Sequence, residues 1–268
     1  MSHETAGSKV RENSLEGSVA KAYWHPSRQE EEALARQSHV ASMGRVDQIW
    51  PWLAENHGQI LAVDAPHAAH PERFCYGELA GKIALAAAAF RHLGIGRGDV
   101  VALFAENSPR WLVADQGLMR TGAANAVRGA TAPVEELRYI LEDSGAIALV
   151  VQNAELWRKL ALSEEQRRAL RLVLQLEGEP ADGLLGWDAL LTAGAGQPAP
   201  DPIKDRSFET AASATATILY TSGTTGQPKG VPLSHANLLH QMRCLACVAY
   251  PSPGAPVLSV LPIWHAYE

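Results

Sequence analysis

Residues Tyr220 to Gly230 read YTSGTTGQPKG. The stretch before them, Thr217, Ile218 and Leu219, reads as a buried strand. Small residues let a backbone turn tightly and bring its N–H groups close to an anion. Ser222, Thr224 and Thr225 add hydroxyl donors, and Lys229 adds a mobile point charge. A strand that delivers such a loop is suited to holding phosphate. The pattern is not the Walker A loop G-x-x-x-x-G-K-[ST]. Lys229 does not directly follow Gly226, and Gly230 stands where that loop needs a hydroxyl for Mg²⁺. Pro228 also forbids a helix running straight out of the turn. The expectation is a nucleotide loop of another class, set between a strand and a helix.

Outward from this loop, strand-like and helix-like segments alternate. Ala214 to Tyr220 is expected to be the strand that presents it, and Ser234 to cap a helix reaching about Val248. Upstream, Ile60–Val63, Val100–Phe104, Ala123–Val127, Ile147–Val151 and Leu172–Leu176 read as strands. A short helix is expected around Ile49 to Leu53, and a longer one over Gly77–Leu93 with Leu79, Ile83, Ala86 and Phe90 on one face. Ser108-Pro109 and Pro133 open two more. Gly94-Ile95-Gly96-Arg97-Gly98 follows a helix and precedes a strand, the reverse of a dinucleotide fingerprint, so it is read as a turn. GAGQPAPDP, residues 194–202, reads as a loop. The fold class expected is α/β, parallel β-sheets covered by helices. Val257 to Leu261 reads as a last strand, apolar on both faces and so interior to a sheet. Residues 1–44 are polar, with the acidic run Glu30 to Glu32, and are expected to be a mobile leader; 45–268 would be the folded part.

Composition narrows the function classes. Of 268 residues, 47% are hydrophobic and 19% charged, which is ordinary globular usage. A net charge of −6 gives no basic footprint for nucleic acid. No run approaches the about 18 apolar residues of a membrane span. The N-terminus lacks the apolar core of a signal peptide, so the cytoplasm is the expected compartment, with peripheral membrane contact left open. Three cysteines, Cys75, Cys244 and Cys247, do not suggest a disulfide framework. Cys244 and Cys247 form a C-x-x-C inside the apolar repeat Leu238, Leu239, Met242, Leu245, Val248, and are expected to pack in a buried helix. His235, in the first turn of that helix, is read as structural.

YTSGTTGQPKG resembles the phosphate-binding signature of the adenylate-forming enzymes: acyl-CoA synthetases, luciferases and nonribosomal-peptide adenylation domains. VPLSHANLL (Val231–Leu239), LPIWHAYE at the end of the chain, and Tyr76–Val151 also resemble that family. The resemblance covers roughly residues 45–268 and implies the first part of the family's large N-terminal domain. Arg128-Gly129 and PIWHAYE are similar to the long-chain fatty-acyl synthetases of plant and cyanobacterial type, which load fatty acids onto acyl carrier protein or coenzyme A.

The resemblance implies a chemistry. A carboxylate acylates poorly because its leaving group is oxide; attack on the α-phosphate of ATP turns that oxygen into part of AMP. Phosphates must then be held in line and the charge developing on pyrophosphate neutralised. Thr221, Ser222, Gly223, Thr224, Thr225 and Gly226 would contact the β- and γ-phosphates, Lys229 would add charge in a catalytic role, and Thr221 would contact Mg²⁺. Trp264 and His265 would shape the acyl pocket beside the carboxylate, with His265 counted among the catalytic residues. The cofactors implied are ATP and Mg²⁺, with coenzyme A or acyl carrier protein as co-substrate and a fatty acid as substrate.

Family members are considerably longer than 268 residues. Their adenine-binding segment, Mg²⁺-holding glutamate, ribose-binding aspartate and lysine-bearing C-terminal domain lie beyond the element that ends this chain. The expectation is therefore a truncated or split ligase, inactive alone, whose missing half could be separately encoded. Three alternatives stay open: a non-catalytic nucleotide- or acyl-binding module, an adenylating ligase for another carboxylic acid, and an unrelated α/β phosphate-binding protein.

Overall fold

The computed structural model describes residues 27–28, 31–32, 35, 40, 42–181, 183–204, 211–221, 227–245 and 252–262. A 3-10 turn at Val46–Gln48 leads into α1 (Ile49–His57). Next come β1 (Leu61–Ala65), β2 (Glu72–Cys75), α2 (Tyr76–His92), β3 (Val100–Phe104), α3 (Pro109–Thr121) and β4 (Ala124–Arg128). Then follow α4 (Val134–Asp143), β5 (Ala148–Val151), α5 (Ala154–Leu160), α6 (Glu164–Ala169), β6 (Leu172–Gln175), β7 (Leu185–Gly186) and α7 (Trp187–Gly194). The described elements end with β8 (Thr215–Thr221), β9 (Lys229–Ser234) and α8 (His235–Leu245).

Strands β7-β6-β5-β3-β4-β8-β9 form one sheet, in which every neighbouring pair is parallel except β8 with β9. The expected α/β architecture is therefore the observed one. Helices cover both faces, which is why β3 reads VVALF without a polar residue. On one face Leu79, Ile83, Phe90, Trp111, Leu118 and Leu190 pack against Val101, Leu103, Val127, Val150 and Leu174. On the other, Leu137, Ile140, Leu156 and Leu160 pack against Ala102, Phe104, Ala126, Leu149 and Val151. Successive residues of one strand thus serve opposite cores. Full burial of a side chain such as Phe90, 0% exposed, contributes about 1.5–3 kcal/mol.

Local signals act where the sequence places them. Ser108 Oγ accepts from Trp111 N at 3.1 Å and Pro109 occupies the first turn of α3. Gly94 and Gly98, each at φ +84°, make the turn between α2 and β3. Asn237 N donates to Ser234 Oγ at 3.2 Å, opening α8.

Four expectations need correction. The phosphate loop does not lie between a strand and a helix: β9 follows it and returns antiparallel to β8. Pro232, in β9, is tolerated because only β8 pairs with this strand and its other side is an edge. A two-stranded antiparallel sheet, β1 with β2, also stands outside the main sheet. Val257–Leu261 is not a strand. No described strand pairs with it, and Val257, Leu258 and Val260 are 78%, 84% and 70% exposed. Cys244 is exposed rather than buried, because α8 packs through His235 and Leu239; Cys247 lies outside the described residues.

Most of residues 1–44 also lies outside the described set. Within it, Arg243 Nη2 donates to the carbonyls of Val40 at 3.1 Å and Met43 at 3.2 Å, so α8 holds the chain there. Among the described residues no helix is long and apolar enough to cross a membrane.

Candidate functional site

The parallel strands end at a common edge, where open α/β sheets place their ligands. Phe104 pairs with Arg128 and with Val151, and Val151 pairs with Gln175. Leu219 pairs with Val127, the last pair of that ladder, and Arg128 and Tyr220 are the residues that follow on the two strands. Thr221, the last residue of β8, is exposed and pairs with Lys229, the first of β9. The hydroxyl and the ammonium singled out in the sequence are thus neighbours at the neck of the loop. Among the described residues Lys229 makes no ion pair. Ser222, Gly223, Thr224, Thr225 and Gly226 lie outside the described residues, as do Trp264 and His265.

Polar side chains brace the turns along this edge. Glu106 Oε1 accepts from Thr131 N and Thr131 Oγ1, both at 3.0 Å, tying the turn after β3 to the turn after β4. Gln152 Oε1 accepts from Glu106 N at 3.2 Å. Asn107 Nδ2 donates to the carbonyl of Leu261 at 2.8 Å. The segment leading toward Trp264 and His265 therefore meets the same edge as the loop.

At the opposite, amino end of the strands, where His235 N donates to Ala214 O just before β8, lies a buried polar cluster. His235 is 1% exposed and its Nδ1 accepts from Val46 N at 3.3 Å, so the reading of this residue as structural agrees with its place. Burial, followed by the Arg45 charge, lowers its pKa to about 3. Arg45 pairs with Asp47 at 2.8 Å and donates to Met119 O. Burial of Asp47 outweighs that pairing and raises its carboxyl above the usual range. Asp115 of α3 accepts from Gln116 Nε2 at 2.7 Å and closely from Asn125 Nδ2 of β4; burial pushes it up to about 7.

A magnesium ion fits this site in one manner. Mg²⁺ takes six oxygens and is commonly held by few protein ligands together with substrate phosphates. Thr221 offers one exposed hydroxyl, and no group of three or more His, Cys, Asp or Glu that could hold a metal occurs among the described residues. Phosphate oxygens would have to supply most of the shell.

Sequence reasoning missed the base of the loop. Tyr220 OH donates to Asp143 Oδ2, on α4, at 2.8 Å, and the ring covers Gly230. The tyrosine and glycine were visible as the ends of the motif; Asp143, far upstream, carries no local signal.

Known proteins resemble this chain in sequence and fold. Residues 51–268 match the family of AMP-binding enzymes. The chain is 40% identical over 243 residues to the probable acyl-activating enzyme 16, chloroplastic, of Arabidopsis thaliana, covering 83% of this chain and 33% of that protein. It is 39% identical over 236 residues to the long-chain-fatty-acid–[acyl-carrier-protein] ligase AEE15, chloroplastic, of the same plant, covering 83% and 32%. Among solved structures, the long-chain-fatty-acid–CoA ligase FadD1 of Archaeoglobus fulgidus aligns with a TM-score of 0.67 at 23% identity, over 82% of this chain and 42% of that one. Mycobacterium smegmatis MbtA aligns with a TM-score of 0.61 at 30% identity, over 81% and 38%. The chain spans about one third of the length of these curated relatives. By the match over most of its length, the chain belongs to the AMP-binding enzyme family.

Proposed function

We propose that this chain carries the phosphate-holding part of an enzyme that activates a long-chain fatty acid with ATP. A carboxylate oxygen of the acid attacks the α-phosphorus, the bond to the β-phosphate breaks, and pyrophosphate leaves. A thiol then attacks the acyl carbon, loses its proton and expels AMP, giving a thioester of coenzyme A or acyl carrier protein. The observation that carries this reading is the pairing of Thr221 with Lys229 at the carboxyl edge of a parallel sheet, at the two ends of a hydroxyl-rich loop.

The roles follow from charge. Lys229 neutralises negative charge as pyrophosphate departs, and the loop 222–226 contributes hydroxyl and backbone donors. Magnesium, when bound, would screen the phosphates, with the Thr221 hydroxyl as the protein's contact. Trp264 and His265 border the acyl carboxylate. The relatives' names support the fatty acid and the two thiol classes. Of residues 1–44, those before Val40 act as a dispensable leader to the folded part 45–268, while Arg243 holds the carbonyls of Val40 and Met43; the enzyme works in the cytoplasm, where fatty acid can be taken from a membrane surface. Turnover needs the adenine, ribose and metal contacts in one geometry with the loop.

The test is fatty-acid-dependent ATP–pyrophosphate exchange in this chain completed with the downstream portion of its 39% identical relative. Lys229→Ala should lower exchange at least about tenfold, or ~1.4 kcal/mol of barrier. Unchanged exchange would remove Lys229 from the mechanism.

A further inference from the structure

We propose that Asp143, Tyr220 and Gly230 form a latch that positions the phosphate loop by locking the two strands at its neck in register. Tyr220 is 6% exposed and packs in the core facing α4 and α5. Its hydroxyl donates to Asp143 Oδ2 at 2.8 Å, at the last residue of α4. The other carboxylate oxygen accepts from Tyr139 OH at 3.1 Å, so two phenols hold the carboxylate in one orientation. Burial, with the Asp143 hydrogen bond and charge, raises the Tyr220 phenol above its ordinary range, which keeps it a donor.

The partner strand is shaped to this ring. Gly230 pairs with Tyr220 across the hairpin. A Cβ at Gly230 would come within 3.0 Å of Tyr220 Cζ, 3.1 Å of its hydroxyl and 3.1 Å of Ile218 Cγ2. Glycine is required here for room, since the tyrosine ring occupies the space a side chain would fill. The first and last residues of YTSGTTGQPKG are thus one contact, and the next pair inward is Thr221 with Lys229. A slip of one residue would turn both of those side chains to the opposite face. Asp143 and Tyr220 act as positioning residues; neither needs to touch a ligand.

The consequence for catalysis rests on the adenylation reading, whereas the latch itself does not. The experiment separates them. Trypsin cleavage after Lys229, which the paired strand protects, is measured against cleavage after Arg97 in the exposed turn. Tyr220→Phe and Asp143→Ala should raise that ratio at least about threefold, with Asp143→Asn, which keeps an acceptor, in between. Tyr139→Phe, which removes the second phenol from the same carboxylate, should raise the ratio less than Tyr220→Phe. In the completed chain Tyr220→Phe should raise the KM for ATP about fivefold and leave the KM for fatty acid unchanged. An unchanged cleavage ratio in Tyr220→Phe, or cleavage rising equally at both sites, overturns the latch. A raised ratio supports it even where the completed chain shows no exchange; in that case the adenylation reading is what fails.

Discussion

The layer formed by α2 and α3 on one hand, and β9 and the separate stretch 255–262 on the other, lie at opposite extremes of packing. In the first, Ala86 to Ala89 and Phe90 are all within 2% of full burial, and a Cβ on Gly117 would come within 3.0 Å of the Ala86 methyl. Small residues draw the helices together until little volume is left unfilled. In the second, Val257, Leu258 and Val260 face solvent, and Lys229 to Pro232 are exposed along β9. Residues 257–261 are as apolar in sequence as the buried helix α2, so hydrophobicity alone does not separate them. What separates them is whether the described part of the molecule supplies a surface to cover the side chain. The proposed loop lies at the boundary: its first strand, β8, is rooted in the core, and its second, β9, is the edge.

Three measurements probe this contrast, in order of expected size. Phe90→Ala should cost about 3–5 kcal/mol in denaturant unfolding, because the α2 layer cannot collapse around the cavity. A loss below about 1 kcal/mol would mean that the layer is looser than described. Asp115→Asn should show a pH-dependent gain. Burial raises the folded carboxyl to about 7 from the ordinary aspartate value of 3.8, so the native state holds a proton that the unfolded chain releases between those values. Stability from this group is therefore present at low pH and lost as pH rises toward 7. The variant's stability relative to wild type should climb through that window by at most about 1.4 kcal/mol per pH unit, then level off. His235 acts in the reverse sense, losing stability as pH falls from the ordinary histidine value of 6.5 toward about 3, so the difference between variant and wild type is the quantity to follow. A flat difference would show that Asp115 is ionised in the native state. Leu258→Ser should change unfolding by less than about 0.5 kcal/mol, since the side chain is 84% exposed. Its effect should appear instead in light scattering, as reduced self-association.

Much of this fold can be read from the sequence because burial on two faces leaves a plain record. Val100–Phe104 is a continuous apolar run, and it forms β3 over the same residues. The cap at Ser108 and the turn at Gly94 to Gly98 obey local rules and are found where those rules put them. β9 escaped because KGVPLS carries a glycine and a proline; an edge strand needs neither an apolar run nor a full set of N–H groups. Val257–Leu261 misled for the converse reason. A strand-like composition becomes a strand only when a neighbour completes its ladder. In the site, the two ends of the loop were legible and their pairing was not. The contact from Tyr220 to Asp143 joins residues 77 apart and follows from topology alone.

Pro232 sets a limit on how copies of this chain can join. It lies in the strand at the margin of the seven-stranded sheet and has no N–H. It can sit in the β8 ladder only where its nitrogen points outward, so an incoming strand would find a gap in the row of donors. Assembly at this margin should therefore proceed by burying apolar side chains such as those of 257–261, as amorphous and reversible clusters, rather than by the strand-on-strand templating that builds fibrils.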